Sequence, residues 1–148
     1  MKMKWYTVAA AIGALAILAS CSAASSIPTT LQVTVGGVTN IVYNNGSYSY
    51  NNGGAVSSFR AQFYVTNTSS TTPINVTGIT VLDPANFKVT GATGTSTLLI
   101  NRGNTITFYI SNNVTTPAAG PYTTTVRIAN DASDTTPYFQ FSFTVTIS

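Results

Sequence analysis

From Leu31 onward the apolar residues recur at every second position, run after run, and this alternation restricts the chain to pleated strands with one face turned inward. Leu31, Val33 and Val35 alternate with Gln32 and Thr34, and Phe59, Ala61, Phe63 and Val65 alternate with Arg60, Gln62, Tyr64 and Thr66. Further runs cover Ile74 to Leu82, Phe87 to Thr90, Leu98 to Ile100, Thr105 to Ser111, Tyr122 to Ala129 and Tyr138 to Ile147. None of these windows carries a helical period, and the β-branched Thr, Val and Ile that dominate them suit a pleated surface. Gly, Pro and Asn separate the runs. Asn44-Asn45-Gly46 reads as a hairpin turn, because Asn and Gly accept positive φ, with Tyr48 and Tyr50 continuing the ribbon to a second turn at Asn51 to Gly54. This spacing predicts an all-β domain over 29–148, an antiparallel β-sandwich of about seven to nine strands. A barrel is the weaker closure, since strands of unequal length pair more readily as two sheets. The expected inward set is Phe59, Phe63, Val65, Ile74, Val76, Ile79, Val81, Phe87, Val89, Ile106, Phe108, Ile110, Val126, Ile128, Phe139, Phe141, Phe143 and Val145.

The first thirty residues follow other rules. Lys2 and Lys4 are followed by an uncharged stretch from Trp5 to Ala19, too short for the roughly 20 apolar residues that a membrane-spanning helix needs. Residues 1–20 therefore read as a helical signal peptide. Leu18-Ala19-Ser20-Cys21 resembles the lipobox of bacterial lipoproteins. That resemblance implies cleavage before Cys21, diacylation of its thiol and acylation of the new amino terminus. Each buried methylene contributes about 0.8 kcal/mol, so two or three chains hold a protein on a membrane where one does so only marginally. The expected location is the bacterial cell envelope. Ser22 stands where a retention signal would place Asp, which by the same resemblance directs the protein to the outer membrane if the source is Gram-negative. Residues 21–28 form a tether, and Cys21, the only Cys, excludes an internal disulfide.

Charge is scarce past the signal. Arg60, Lys88, Arg102 and Arg127 face Asp83, Asp131 and Asp134, and Thr, Ser and Asn make up 52 of the 128 residues from Cys21 onward. Four scattered cations do not make a nucleic-acid surface. The chain has neither His nor Glu, so acid-base catalysis lacks its usual groups, no Ser or Thr has a base to activate it, and no cofactor is implied. Asp131 and Asp134, with Asn130 and Thr135, are a weak Ca²⁺ candidate. Two carboxylates in a five-residue turn fall short of the six to eight oxygens that Ca²⁺ takes, and hairpin chemistry accounts for them better. Tyr43, Tyr48 and Tyr50 alternate among Asn44, Asn45, Asn51 and Asn52, which suggests an aromatic and amide face for a glycan or a protein; alternatively the rings cover the open side of the sandwich. The long last strand, Tyr138 to Ile147, is a candidate for strand addition to a neighbouring copy.

A family resemblance runs over 59–148. Phe63 to Ser69, the aliphatic run Ile74, Val76, Ile79 and Val81, and Asn86-Phe87-Lys88-Val89 lead to Ile100, Gly103, Thr107 and Phe108, and then to Pro117 and Gly120. The most specific block is Val126-Arg127-Ile128-Ala129-Asn130-Asp131-Ala132-Ser133-Asp134 with Pro137, Tyr138 and Phe141. In this order the segments resemble the choice-of-anchor D family, a Hydin-like, immunoglobulin-like module. Asn86 replaces the family's common Asp, and the closing strand lacks its usual Gly. The resemblance implies an immunoglobulin-like sandwich serving as an accessory module of surface proteins, with no known active site and no particular ligand. The combined expectation is a non-catalytic, lipid-anchored structural or protein-interaction module that works in adhesion or assembly with an envelope protein or with itself. The alternative is a carbohydrate-binding module that uses the Tyr cluster.

Overall fold

A computed structural model describes residues 30–37, 40–91, 97–135 and 137–148. The signal peptide, the lipobox Leu18, Ala19, Ser20 and Cys21, and the tether all lie outside the described residues. The strands are β1 (Leu31–Val35), β2 (Ile41–Val42), β3 (Gly46–Ser49), β4 (Ala55–Val56), β5 (Arg60–Asn67), β6 (Ile74–Val81), β7 (Phe87–Gly91), β8 (Leu98–Ile100), β9 (Thr105–Asn112), β10 (Gly120–Asn130) and β11 (Tyr138–Ile147). They form two sheets. One has the order β2-β1-β5-β9-β7; the other has the order β3-β11-β10-β6-β8, with β4 also paired to β11. The fold is a β-sandwich, as the alternation predicts. It has eleven strands among the described residues rather than seven to nine, because short β2, β3, β4 and β8 add to the longer runs, and β3 and β4 lie parallel to β11 in otherwise antiparallel sheets.

The inner faces meet in a phenylalanine-rich core. Phe63 and Phe108 from the first sheet stack with ring centroids 5.1 Å apart, and Phe63 also touches Phe141 and Phe143 of the second sheet at 5.4 and 6.0 Å. Offset and edge-on ring pairs of this kind add about 0.5–1.5 kcal/mol each beyond the area they bury. Every residue of the expected inward set is in the core or packed against it, joined by Leu31, Val33, Val35, Val42, Ala61, Ile100, Ala132 and Ile147.

The β10–β11 hairpin is the longest pairing, in register from Gly120↔Ile147 to Ala129↔Tyr138. Its turn is held by Asn130, whose amide donates to Ile128 O at 2.9 Å while its Oδ1 accepts the Ala132 N–H at 3.0 Å and the Thr135 hydroxyl at 2.7 Å. Asn67 does the same at the end of β5, donating to Thr72 O and Ile100 O and accepting from Ser69 N–H, each at 2.9 Å. Both amides are buried, and these bonds offset their desolvation.

The hairpin expected at Asn44-Asn45-Gly46 does not form. After β2 the chain leaves the first sheet and crosses to the second, where β3 runs parallel to β11 in the register Phe141↔Gly46 to Thr144↔Ser49. Asn45 does adopt positive φ (57°). The bonds that hold the corner, however, reach across the molecule: Asn45 N–H donates to Gln140 O at 2.6 Å, and Gln140 N–H donates to Asn44 Oδ1 at 3.0 Å. Gly46 is required here, because a Cβ at that position would lie 2.9 Å from Tyr43 Cβ. A 3₁₀ turn at Tyr50–Gly53 follows, and β4 then resumes the parallel pairing at Thr146↔Ala55.

Candidate binding surfaces

The crossing segment decides two of the expected sites. The outer edge of β11, expected to be open for strand addition, is occupied by β3 and β4, so its backbone groups already have partners. That expectation is corrected: a β-edge contact through β11 would first have to displace this segment. Of the two readings of the tyrosine cluster, Tyr48 and Tyr50 fit the one in which the rings cover the open side. Tyr48 lies edge-on to Phe63 at 5.7 Å and tilted on Phe143 at 6.0 Å, while Tyr50 packs on Phe59 at 5.6 Å. A strand that crosses the open side of the sandwich turns alternate residues into the core, so these two rings close the gap between the sheets. Burial raises the Tyr48 phenol above its ordinary range, and the neighbouring Tyr50 phenol adds to the shift. Tyr43, 45% exposed, is the one member of the trio left on the surface.

The two carboxylates of the β10–β11 turn bind separate strands. Asp131 accepts the Asn75 backbone N–H at 2.8 Å and the Asn75 side-chain amide at 2.6 Å, fastening the turn to β6. These bonds, the side-chain one foremost, lower its pKa. Asp134 accepts the Thr30 N–H at 3.0 Å and the Thr30 hydroxyl, fastening the turn to the start of β1. Asp83 likewise accepts the Asn86 side-chain amide at 2.8 Å in the loop before β7. All three carboxylates therefore close loops, Asp131 and Asp134 by bonding other strands rather than the backbone of their own turn.

One arrangement is absent from the sequence expectations. On the outer face of the first sheet Arg60 of β5 and Lys88 of β7 both stand opposite Ser111 of β9, so the three form a single row across adjacent strands. Strand spacing of about 4.8 Å puts the two cationic positions about 10 Å apart with a hydroxyl between them. The Arg60 guanidinium lies over the Tyr109 ring, 3.9 Å from its centroid. Beside the row an open cleft of about 590 Å³ is lined by Tyr50, Ser58, Asn112, Asn113 and Thr115 as well as the two cations, and no carboxylate lines it. Its rim is held in place: Asn112 donates to Val114 O at 2.6 Å, Asn113 donates to Pro84 O at 2.9 Å, and the Asn113 backbone N–H donates to Asn86 O at 2.8 Å. Alternation places Arg60 and Lys88 on outward positions. Their shared row depends on β9 lying between β5 and β7, which no local pattern encodes.

No protein-family model matches the chain, and no curated protein matches it. Solved structures similar to it include a family 123 glycoside hydrolase from Clostridium perfringens, at 13% identity and a TM-score of 0.49, covering 81% of this chain. The chain spans only 28% of that hydrolase's length. The N-terminal domain of PorA is similar at 13% identity and a TM-score of 0.44, over 80% of this chain and 97% of that one. The CooA pilin subunit from enterotoxigenic Escherichia coli is similar at 12% identity and a TM-score of 0.35, over 79% and 99%.

Proposed function

We propose that the protein is a non-catalytic, lipid-anchored module of the bacterial cell envelope, of the choice-of-anchor D type, that acts by binding. The observation that carries this reading is the use made of the carboxylates. Asp83, Asp131 and Asp134 are each spent on holding a loop, and in a chain without His or Glu this leaves little for acid-base chemistry. The anchor follows from the Leu18-Ala19-Ser20-Cys21 segment, whose acyl chains would keep the sandwich at the membrane through the 21–28 tether. Because β3 and β4 cover β11, binding by sheet faces is favoured over strand addition.

Metabolic labelling with a palmitate analogue, followed by membrane fractionation, tests the anchor. Wild type should incorporate label and sediment with membranes, and Cys21→Ala should do neither. Equal incorporation by the two overturns the lipoprotein reading.

A further inference from the structure

We infer that the Arg60–Ser111–Lys88 row and its adjoining cleft form a binding site for an acidic saccharide, a sugar chain that carries carboxylates. The inference rests on reading the protein as a binding module and names the ligand class.

Charge supplies the first argument. Past the signal peptide the chain has only seven ionisable Lys, Arg and Asp side chains, yet two cations share one row on one sheet face. The turn that carries Asp131 and Asp134 abuts Thr30 and Asn75, at the opposite end of the sandwich from Arg60. Seven residues of β5 separate the ends, roughly 20 Å at strand rise, well beyond the Debye length of about 8 Å in physiological salt. Asp83 is nearer, in the loop whose Pro84 and Asn86 carbonyls accept from Asn113 of the rim, so the region of the cleft holds two cations against one carboxylate that already accepts from Asn86.

Preorganisation supplies the second. Stacking on Tyr109 restrains the Arg60 guanidinium before any ligand arrives, which reduces the ordering cost of binding and leaves its planar fork able to grip a carboxylate through two parallel N–H bonds. The Lys88 side chain forms no hydrogen bond or ion pair among the described residues and offers a second point charge about two strand spacings away.

The lining chooses among anions. Two cations are too few for nucleic acid, whose affinity grows with the number of phosphates neutralised. The remaining lining is mostly hydroxyls and amides from Ser58, Ser111, Asn112, Asn113 and Thr115, with Tyr50, Phe59 and Val114 as its apolar part. The amide nitrogens of Asn112 and Asn113 are committed to Val114 O and Pro84 O, which turns their side-chain oxygens into acceptors for donors such as sugar hydroxyls. An open, mostly polar cleft lined by two cations thus matches a hydroxyl-rich ligand bearing carboxylates better than a bare inorganic anion or an apolar peptide.

Calorimetric titration of the detergent-solubilised full-length protein with trigalacturonate, maltotriose and acetate tests the site. Trigalacturonate should bind, more weakly as NaCl is raised. Arg60→Gln and Lys88→Gln should each weaken it about tenfold, the usual scale for losing a charge-assisted contact. Arg127→Gln, on the other sheet, should bind as wild type does. Arg60→Gln and Lys88→Gln should keep the wild-type unfolding midpoint, since both side chains are exposed. No binding of trigalacturonate, equal binding of maltotriose, displacement by equimolar acetate, or unchanged affinity in both cleft variants would each overturn the inference. None of these outcomes touches the anchor, which the palmitate label tests separately.

Discussion

Two turns that each open on an asparagine behave differently in this sandwich. Asn130, at the head of the β10–β11 turn, makes its side-chain bonds to Ile128, Ala132 and Thr135, all within five residues. Asn44 makes its bond to Gln140, ninety-six positions away in sequence. The first turn reverses the chain into a hairpin, while the second carries it from one sheet to the other. An Asn at a turn therefore permits the chain to change direction, and the partner of its side-chain amide decides where the turn leads.

The sharpest way to break this comparison is to remove each amide. Asn130→Ala should cost about 3 kcal/mol in urea unfolding, since it strands several buried groups at once. It should do so with no change in oligomeric state, because the bonds it loses are local. The rings on either side of the crossing should differ next. Tyr48→Ala, which strips a ring from Phe63 and Phe143, should cost about 2 kcal/mol, less than for a fully buried aromatic. Tyr43→Ala at the surface should stay within about 0.5 kcal/mol. Equal costs for the two would mean that the crossing segment does not seal the core.

Asn44→Ala should cost about 1–2 kcal/mol, less than Asn130→Ala, yet its consequence should reach further. Loosening β3 uncovers the β11 edge, so amide exchange from Gln140 to Thr144 should accelerate and light scattering should reveal concentration-dependent association that wild type lacks. An Asn44→Ala protein with unchanged exchange would place the clamp elsewhere.

The smallest effect is electrostatic. The bonds from Asn75 lower the Asp131 pKa in the folded state, so they stabilise the fold above the ordinary Asp value of about 3.9. That contribution fades as pH falls through the lower folded value. Asp131→Asn should therefore lower the unfolding midpoint slightly at neutral pH and not at all in strong acid, the difference being small because the carboxylate is exposed to solvent. A pH-independent difference would assign the effect to packing.

Much of this architecture was legible in local pattern. The runs at Ile74, Leu98, Thr105 and Tyr138 became strands within a residue of their expected ends, because an inward face with period two leaves a strand little freedom. The Asn130 turn was legible because the side-chain bonds of Asn130 stay within it, whereas the bonds of Asp131 and Asp134 to Asn75 and Thr30 were not. Tyr48 and Tyr50 stood open to two readings, a binding face or a cover for the sandwich, because alternation shows that two rings share a side and not which side is covered. The cationic row was invisible, since Arg60 and Lys88 are nearly thirty residues apart and meet only through Ser111 of an intervening strand.

The amino-acid sequence alone determined that this chain folds as a β-sandwich with a phenylalanine-rich core and a nearly uncharged, hydroxyl- and amide-rich surface. Burial of alternate apolar residues and the local chemistry of its turns suffice for that. Tertiary structure alone decided that residues 44–56 cross between the sheets, that the last strand has no open edge, and that two cations share one row. These depend on contacts between segments far apart in sequence, whose free energy exists only once both sheets have formed.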